Sequence, residues 1–133
     1  MRFFFYGTLL DPDVRARIVG PCRAVPARLP GWQRVAMLGR AYPVIVRRFG
    51  AAVDGLLAEG LGRASARRLE AYETDEYEAE RLVVETADGR RVRALVFVAG
   101  PRARPGAAPW ALADWQARHK RAFLRLSRTR AAG

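Results

Sequence analysis

Apolar and polar positions along this chain follow two different periods, and the changes of period predict where strands give way to helices. The first apolar run, Phe3–Tyr6, is apolar at every position and stops at Gly7. Such a run is typical of a strand that is buried on both faces. Because an edge strand would expose half of these aromatic rings, we expect this strand to lie in the interior of a sheet. A short helix is predicted to follow over residues 12–19.

The middle of the chain has the composition of strands. Residues 22–38 place apolar side chains at mostly even spacing between prolines, which predicts one or two strands that bend. A compact β-branched strand, Val44–Val46, is predicted to end in a turn at Phe49-Gly50. Another strand is predicted over Val53–Glu59, with Gly55 marking a bulge or a close backbone contact.

The second half begins with a helical pattern and ends with another. Ser65 is a good N-cap for a helix that runs past Tyr72. The pattern returns to β over residues 77–86, and Asp88-Gly89 predicts a hairpin to the next strand. A final helix is predicted over about 111–127. Because parallel βαβ alternation is absent, the fold class is expected to be α+β, with a bent, mostly antiparallel sheet or small β-barrel flanked by helices.

Composition excludes several classes of protein. The 133 residues contain no linker and are expected to form a single domain over 1–133. One cysteine, Cys22, and one histidine exclude an internal disulfide and argue against a transition metal held by the protein. No apolar run approaches the roughly 20 residues of a membrane helix, so no membrane partner is expected. The expected location is the cytoplasm.

The net charge of +11 raises the question of nucleic acid. Arginine supplies 23 of the 24 basic residues, and the arginines are scattered along the whole chain. They do not form one basic run with interleaved aromatic residues. A nucleic-acid-binding domain is therefore the weaker interpretation, whereas a positive surface that steers an anionic substrate inward remains open.

The end of the first strand is a candidate binding loop. Tyr6, Gly7, Thr8 and Leu9 follow the buried run directly. Gly7 allows a positive φ and a close approach of a ligand, and it leaves loop N–H groups free to bind an anion or oxyanion. The alternative interpretation is an ordinary strand end with a turn.

A second candidate lies in an acidic segment. Six of the 13 acidic residues fall between residues 70 and 80. Glu73 follows Leu69 and Tyr72 on the expected buried face of a helix. A carboxylate that is partly buried among aromatic rings has a raised pKa and suits a general base. The other acidic side chains are expected to face solvent, notably Glu70, Glu76 and Glu78.

Four segments together resemble the gamma-glutamylcyclotransferase-like family, of the AIG2-like group. They are Tyr6–Leu9, Tyr42-Pro43 before an aliphatic strand, Val53–Gly55 and Leu69–Tyr77. Their order and spacing match the family, and so does a late helix announced by Pro109-Trp110. The resemblance covers roughly residues 1 to 125.

The resemblance implies a site and a reaction. Tyr6, Gly7, Thr8 and Leu9 would bind the γ-glutamyl part of the substrate, Glu73 would be the acid/base, and Tyr77 would lie near the pocket. Three positions depart from the family pattern and bear on substrate identity. Glu70 stands for an aspartate, Thr74 for a glycine and Ala79 for an arginine.

The implied activity is that of a γ-glutamyl amine cyclotransferase. The substrate's α-amine would attack its own γ-carbonyl and release 5-oxoproline and an amine, as in an amidine- or amine-releasing lyase or acyltransferase. The partner would be a γ-glutamyl small molecule or peptide, with no cofactor and no metal. The alternative is a non-catalytic small-molecule or partner-binding module on the same fold.

Overall fold

The computed structural model describes residues 1–132, with side chains through residue 126. The strands are β1 Phe3–Phe5, β2 Arg23–Ala36, β3 Pro43–Glu59, β4 Tyr77–Thr86 and β5 Arg91–Ala99. The helices are α1 Pro12–Ile18, α2 Arg63–Glu73, α3 Leu112–Arg118 and α4 Lys120–Ala132. The strands close into a barrel in the order β1-β3-β2-β4-β5. This α+β architecture confirms the predicted bent sheet in its barrel form.

Strand β1 lies in the interior of the barrel wall, as its composition predicts. It pairs with β3 in the antiparallel sense and with β5 in the parallel sense, and all three of its residues are buried. Because side chains alternate along a strand, Phe4 packs inside the barrel, while Phe3 and Phe5 pack on the outside beneath the helices. One short strand therefore belongs to two hydrophobic cores.

The predicted turn at Phe49-Gly50 is wrong. The chain does not reverse there, and Pro43–Glu59 runs as one strand against β2. The register shifts so that residues 48–51 bulge out opposite Gly31. Pairing with β2 on both sides of the bulge holds the strand together, and Gly50, with φ of 83°, accommodates the detour. Gly55 is a close contact as predicted, since a Cβ there would lie 2.2 Å from the Phe5 carbonyl oxygen.

The remaining elements confirm the hairpin and the short helix α1, and they correct the predictions for the two later helices. Strands β4 and β5 pair across the predicted Asp88-Gly89 turn. Helix α2 begins earlier than expected, with Gly62 as N-cap, and the Ser65 hydroxyl instead donates to the Val19 carbonyl at 2.9 Å. The predicted C-terminal helix breaks at His119 into α3 and α4. The apolar period runs through that break, so the period alone gives no sign of it. Within residues 1–132, no helix is long and apolar enough to span a membrane.

Candidate active site

A cavity of about 520 Å³ opens between the barrel and the helices. Its polar side is formed by the loop Tyr6–Leu9 and by Tyr72–Thr74 at the end of α2. Its other side is formed by α3 and α4, and Tyr42-Pro43 contributes to the lining between them. All six residues singled out from the sequence, Tyr6, Gly7, Thr8, Leu9, Glu73 and Tyr77, line this cavity.

The loop after β1 presents unpaired backbone donors. Thr8–Leu10 form a 3₁₀ turn that starts immediately after Gly7. No described residue accepts a hydrogen bond from the N–H groups of Gly7, Thr8 or Leu9, as is usual for the first amides of a helical turn. Successive free N–H groups at such a position form a site for an anion or a developing oxyanion.

The reason for glycine at position 7 differs from the expected one. Its φ is −119°, so the position does not need the left-handed region. Instead, a Cβ at Gly7 would lie 3.1 Å from Cγ and 3.2 Å from Cδ of Pro43. The close approach of Pro43 therefore explains the glycine, and it places the Tyr42-Pro43 segment against the loop.

The hydroxyl groups around the loop are mostly occupied by the protein itself. Tyr6 Oη donates to the Phe97 carbonyl at 2.5 Å, and Tyr77 Oη donates to the Pro43 carbonyl at 2.6 Å. These two tyrosines thus present their rings rather than free hydroxyls to a ligand. Thr8 Oγ1 lies 2.6 Å from Tyr72 Oη, which fixes the loop to α2.

A residue that sequence analysis overlooked holds the loop from the outside. The Arg34 guanidinium donates to the Tyr6 carbonyl at 2.9 Å. It also lies over the Trp110 ring, 5.7 Å from the centroid. Burial lowers the pKa of Arg34 from its usual range, and the Asp54 charge opposes this effect. A lone arginine on a strand carries no local signal of such a role.

Glu73 is the last residue of α2 and turns into the cavity. Leu69, one turn earlier, is completely buried, so the same face of the helix carries Glu73 inward. Within the described part of the chain, nothing donates a hydrogen bond to its carboxylate. Burial raises the pKa of Glu73 to about 8. Burial and the nearby Glu73 charge also raise the pKa of Tyr6 well above its usual value.

The turn after Glu73 keeps a glycine-like conformation without a glycine. Thr74 has φ of 62° and ψ of −168°, which a β-branched residue adopts only under constraint from its surroundings. It is the one non-glycine residue with positive φ in the described chain. Thr74 stands where the family pattern has a glycine, and its backbone keeps the conformation that glycine adopts freely.

The acidic neighbours of Glu73 divide into two groups. Glu70 and Glu78 are exposed, as predicted. The prediction for Glu76 is wrong, because its side chain is only 16% exposed. It accepts a hydrogen bond from Tyr42 Oη and pairs with Arg40 Nε at 3.3 Å. The 3₁₀ turn Thr74–Glu76 carries this carboxylate back toward Tyr42, which residue spacing does not reveal.

The wall formed by α3 and α4 is also a finding of the structure. Trp115, His119, Phe123 and Leu126 line the cavity at successive intervals of four, four and three residues. This spacing is typical of one face of a helix, yet His119 is exposed, because the chain leaves the helix there. Among residues 1–132, no cluster of three metal-ligating side chains comes together.

Comparison with known proteins gives consistent matches. The family model "Gamma-glutamyl cyclotransferase, AIG2-like" matches residues 3–117. AIG2-like protein A of Arabidopsis thaliana is 30% identical over 124 residues, which cover 91% of this chain and 75% of that protein. AIG2-like protein D of the same plant is 26% identical over 129 residues, covering 94% and 85%.

Solved structures extend the comparison to the fold. A solution structure of an Arabidopsis thaliana protein superposes with a TM-score of 0.72 at 29% identity, covering 94% of this chain and 86% of that one. A structure of a gamma-glutamyl cyclotransferase superposes with a TM-score of 0.69 at 14% identity, covering 79% and 69%. The second likeness shows the shared fold. The matched residues 3–117 include the loop Tyr6–Leu9 and Glu73, and α4 lies beyond them.

Proposed function

Since this chain belongs to the gamma-glutamyl cyclotransferase, AIG2-like family, we propose that it converts γ-glutamyl amines into 5-oxoproline and a free amine. In this reaction the α-amino nitrogen of the substrate attacks its own γ-carbonyl carbon and closes a five-membered ring. The bond between that carbon and the leaving amine breaks. The step is an intramolecular acyl transfer that consumes no water and needs no redox partner.

The unpartnered carboxylate of Glu73 is the observation that carries this proposal. One group must take a proton from the α-ammonium and return it to the leaving amine. The pKa of Glu73, about 8, is close to the value of about 8 for an α-amino group. Proton transfer between groups of similar pKa has little thermodynamic cost in either direction, so Glu73 suits both half-steps.

The loop supplies the complementary half of the site. The free N–H groups of Gly7, Thr8 and Leu9 can hold either the α-carboxylate of the substrate or the oxyanion that develops on the γ-carbonyl. Donors fixed by the backbone need no reorganisation when the charge develops. The rings of Tyr6 and Tyr77 would pack against the methylene groups of the glutamyl chain.

A screen of γ-glutamyl compounds for release of 5-oxoproline tests the proposal. Glu73→Gln keeps the shape of the side chain and removes the base, so turnover should fall about 10²–10⁴-fold. Glu70→Gln is the matched control, since Glu70 lies one turn earlier on the same helix and is exposed. It should retain wild-type turnover.

Two results would contradict the proposal. Wild-type turnover by the Glu73→Gln variant would show that Glu73 is not the base. Binding of γ-glutamyl compounds with no release of 5-oxoproline from any of them would make the protein a binding module on this fold instead.

A further inference from the structure

Arg34 is a charged side chain that lies close to the candidate active site without lining its cavity. It is half-buried on β2, and its Nη1 donates to the Tyr6 carbonyl at 2.9 Å. The same nitrogen lies 3.4 Å from the Asp54 carbonyl oxygen of β3. The loop Tyr6–Leu9 is therefore backed by a cation that a ligand in the cavity does not touch.

An aromatic ring fixes the position of this guanidinium. The Trp110 ring centroid lies 5.7 Å from Arg34 Cζ, and Trp110 Nε1 in turn donates to the Ala41 carbonyl at 2.8 Å. A planar guanidinium that stacks on a hydrogen-bonded ring is held in one orientation. The donors of Arg34 are thus already aimed at the Tyr6 carbonyl before any ligand binds.

The peptide group between Tyr6 and Gly7 links this cation to the cavity. In a planar trans peptide group the C=O and the N–H point in opposite directions. The Tyr6 carbonyl points to Arg34, so the Gly7 N–H points to the other side of the loop, where Gly7 lines the cavity. A carbonyl that accepts a bond from a charged donor polarises its peptide group and makes the N–H a stronger donor.

The shape of the loop does not depend on this contact. The Leu10 N–H donates to the Gly7 carbonyl at 3.0 Å and closes the 3₁₀ turn. The contact of 2.6 Å between Thr8 Oγ1 and Tyr72 Oη ties the turn to α2. Because these bonds hold the turn without Arg34, the particular contribution of Arg34 is its charge.

We propose that Arg34 is a positioning residue for the cyclotransferase reaction, which fixes and polarises the Tyr6–Gly7 peptide group so that the Gly7 N–H binds the negative charge of the substrate. This inference rests on the function proposed above and adds a residue to its site. The negative charge is either the oxyanion that develops on the γ-carbonyl or the α-carboxylate. A fixed, polarised donor stabilises such a charge without reorganisation.

Arg34→Met and Arg34→Lys test the role of the charge. Both variants keep an unbranched stem that packs against Trp110, but only lysine keeps a cation that can donate to the Tyr6 carbonyl. In Arg34→Met, kcat/KM for a γ-glutamyl amide should fall about 10–100-fold, which is less than the loss of a direct oxyanion donor. Arg34→Lys should stay within about fivefold of the wild type.

Arg47→Met is the matched control. The Arg47 guanidinium also lies over a tryptophan, 4.6 Å from the ring centroid of Trp32, but Arg47 does not line the cavity and its ion pair is with Glu80. This variant should keep the wild-type kcat/KM. Denaturant unfolding verifies that all three variants are folded.

Two ligands of nearly equal shape separate a role of charge from a structural role. 5-Oxoproline carries a carboxylate, and its carboxamide is uncharged. If kcat falls in Arg34→Met while Kd stays unchanged for both ligands, the polarised N–H binds the oxyanion. If Kd rises for 5-oxoproline and not for the carboxamide, the polarised N–H binds the α-carboxylate. Either result supports the proposal.

Three results would overturn it. Wild-type kcat/KM and Kd in Arg34→Met would show that the charge has no role. Equal losses of kcat/KM in Arg34→Met and Arg34→Lys would make Arg34 a structural residue, and so would Kd values that rise equally for both ligands. In these cases the wild type still releases 5-oxoproline, and the cyclotransferase function stands. If the wild type releases none, the proposed function fails and the role of Arg34 falls with it.

Discussion

The carboxylates of Asp11 and Glu73 are both shielded from water, but their hydrogen-bonding surroundings are opposite. Asp11, at the start of α1, is completely buried. It accepts hydrogen bonds from two backbone N–H groups of α1, a bond from Gln116 Nε2 at 2.8 Å and an ion pair with Lys120 Nζ at 2.8 Å. Glu73 faces the cavity, and no described residue donates to it. Four donors reach the Asp11 carboxylate, whereas none of the described donors reaches the carboxylate of Glu73.

The contrast in donors reverses the effect of burial on acidity. Burial by itself raises the pKa of Asp11, but the bonds from Lys120, Gln116 and the Val14 N–H outweigh it and hold that pKa below its usual range. Burial of Glu73 is unopposed and raises its pKa to about 8. Burial alone thus does not raise the pKa of a carboxylate in this fold, whereas burial without a partner does.

The surroundings of Asp11 and the cavity that holds Glu73 are nevertheless directly connected. Asp11 follows the loop Tyr6–Leu9 by two residues and caps α1, while Gln116 and Lys120 belong to α3 and α4. The Asp11 carboxylate therefore ties the chain just after the loop Tyr6–Leu9 to the helices α3 and α4, which form the wall of the cavity. Its role is to hold the walls of the cavity in which the Glu73 carboxylate lies.

Removing Asp11 should cause the largest loss of folding stability. Asp11→Ala deletes an N-cap and leaves Lys120 and Gln116 without a buried acceptor, so the free energy of unfolding should fall by about 2–4 kcal/mol at neutral pH. Denaturant unfolding measures it. Because the folded-state pKa is lowered, the contribution is present above the usual aspartate pKa of about 3.9 and is lost as the pH falls below it.

Asp13→Ala is the control for this prediction. Asp13 pairs with the same Lys120 at 2.8 Å, but its side chain is 64% exposed. Its removal should have a much smaller effect. Equal losses of the free energy of unfolding for Asp11→Ala and Asp13→Ala would show that burial of Asp11 adds nothing to its contribution.

Glu73→Gln should raise the free energy of unfolding, whereas Asp11→Ala lowers it. The folded protein retains a proton on Glu73 up to a pKa of about 8, whereas the unfolded chain releases it near the usual glutamate value of about 4.3. The stability of the wild type should therefore decline as the pH rises through this window, by up to about 1.4 kcal/mol per pH unit. The variant should lack this decline and be the more stable protein at pH 8.

Denaturant unfolding between pH 5 and pH 9 measures this difference, with Glu70→Gln as the matched control. The difference between wild type and Glu73→Gln should widen up to about pH 8 and then stay constant. A constant difference over the whole range would mean that Glu73 titrates in the folded protein as it does in the unfolded chain.

The smallest effect should come from Glu76, which lies three residues after Glu73 and is paired. Glu76→Gln keeps an acceptor for Tyr42 Oη and loses only the charge that assists the bond and pairs with Arg40. Stability should fall by about 0.5–1.5 kcal/mol, and release of 5-oxoproline should persist. If Glu76→Gln lost turnover as completely as Glu73→Gln, the base would be assigned to Glu76 instead of Glu73.

The sequence predicted those features that depend on neighbouring residues. The run Phe3–Tyr6 identified a strand buried on both faces, and Asp88-Gly89 identified the hairpin of β4 and β5. Leu69 and Tyr72 indicated which side of α2 is buried, and so the inward direction of Glu73. Each of these follows from side-chain period or turn geometry within about ten residues.

Other features depend on residues far apart in the chain, and no local pattern indicates them. The single strand β3 exists because β2 pairs with it on both sides of a bulge, so local turn signals at Phe49-Gly50 misled. Glu76 is half-buried, and Tyr42, 34 residues earlier, donates to it. The requirement for glycine at position 7 comes from the approach of Pro43 and not from its own φ.

The sequence by itself thus determined which residues can do chemistry, and the tertiary structure decided which of them are left without partners. Asp11 and Glu73 are both carboxylates at helix ends. The start of α1 gives Asp11 two local N–H donors, but its other donors, Gln116 and Lys120, lie more than a hundred residues away. The pKa of a buried carboxylate depends on all the donors that reach it, and the tertiary structure decides which distant donors do so.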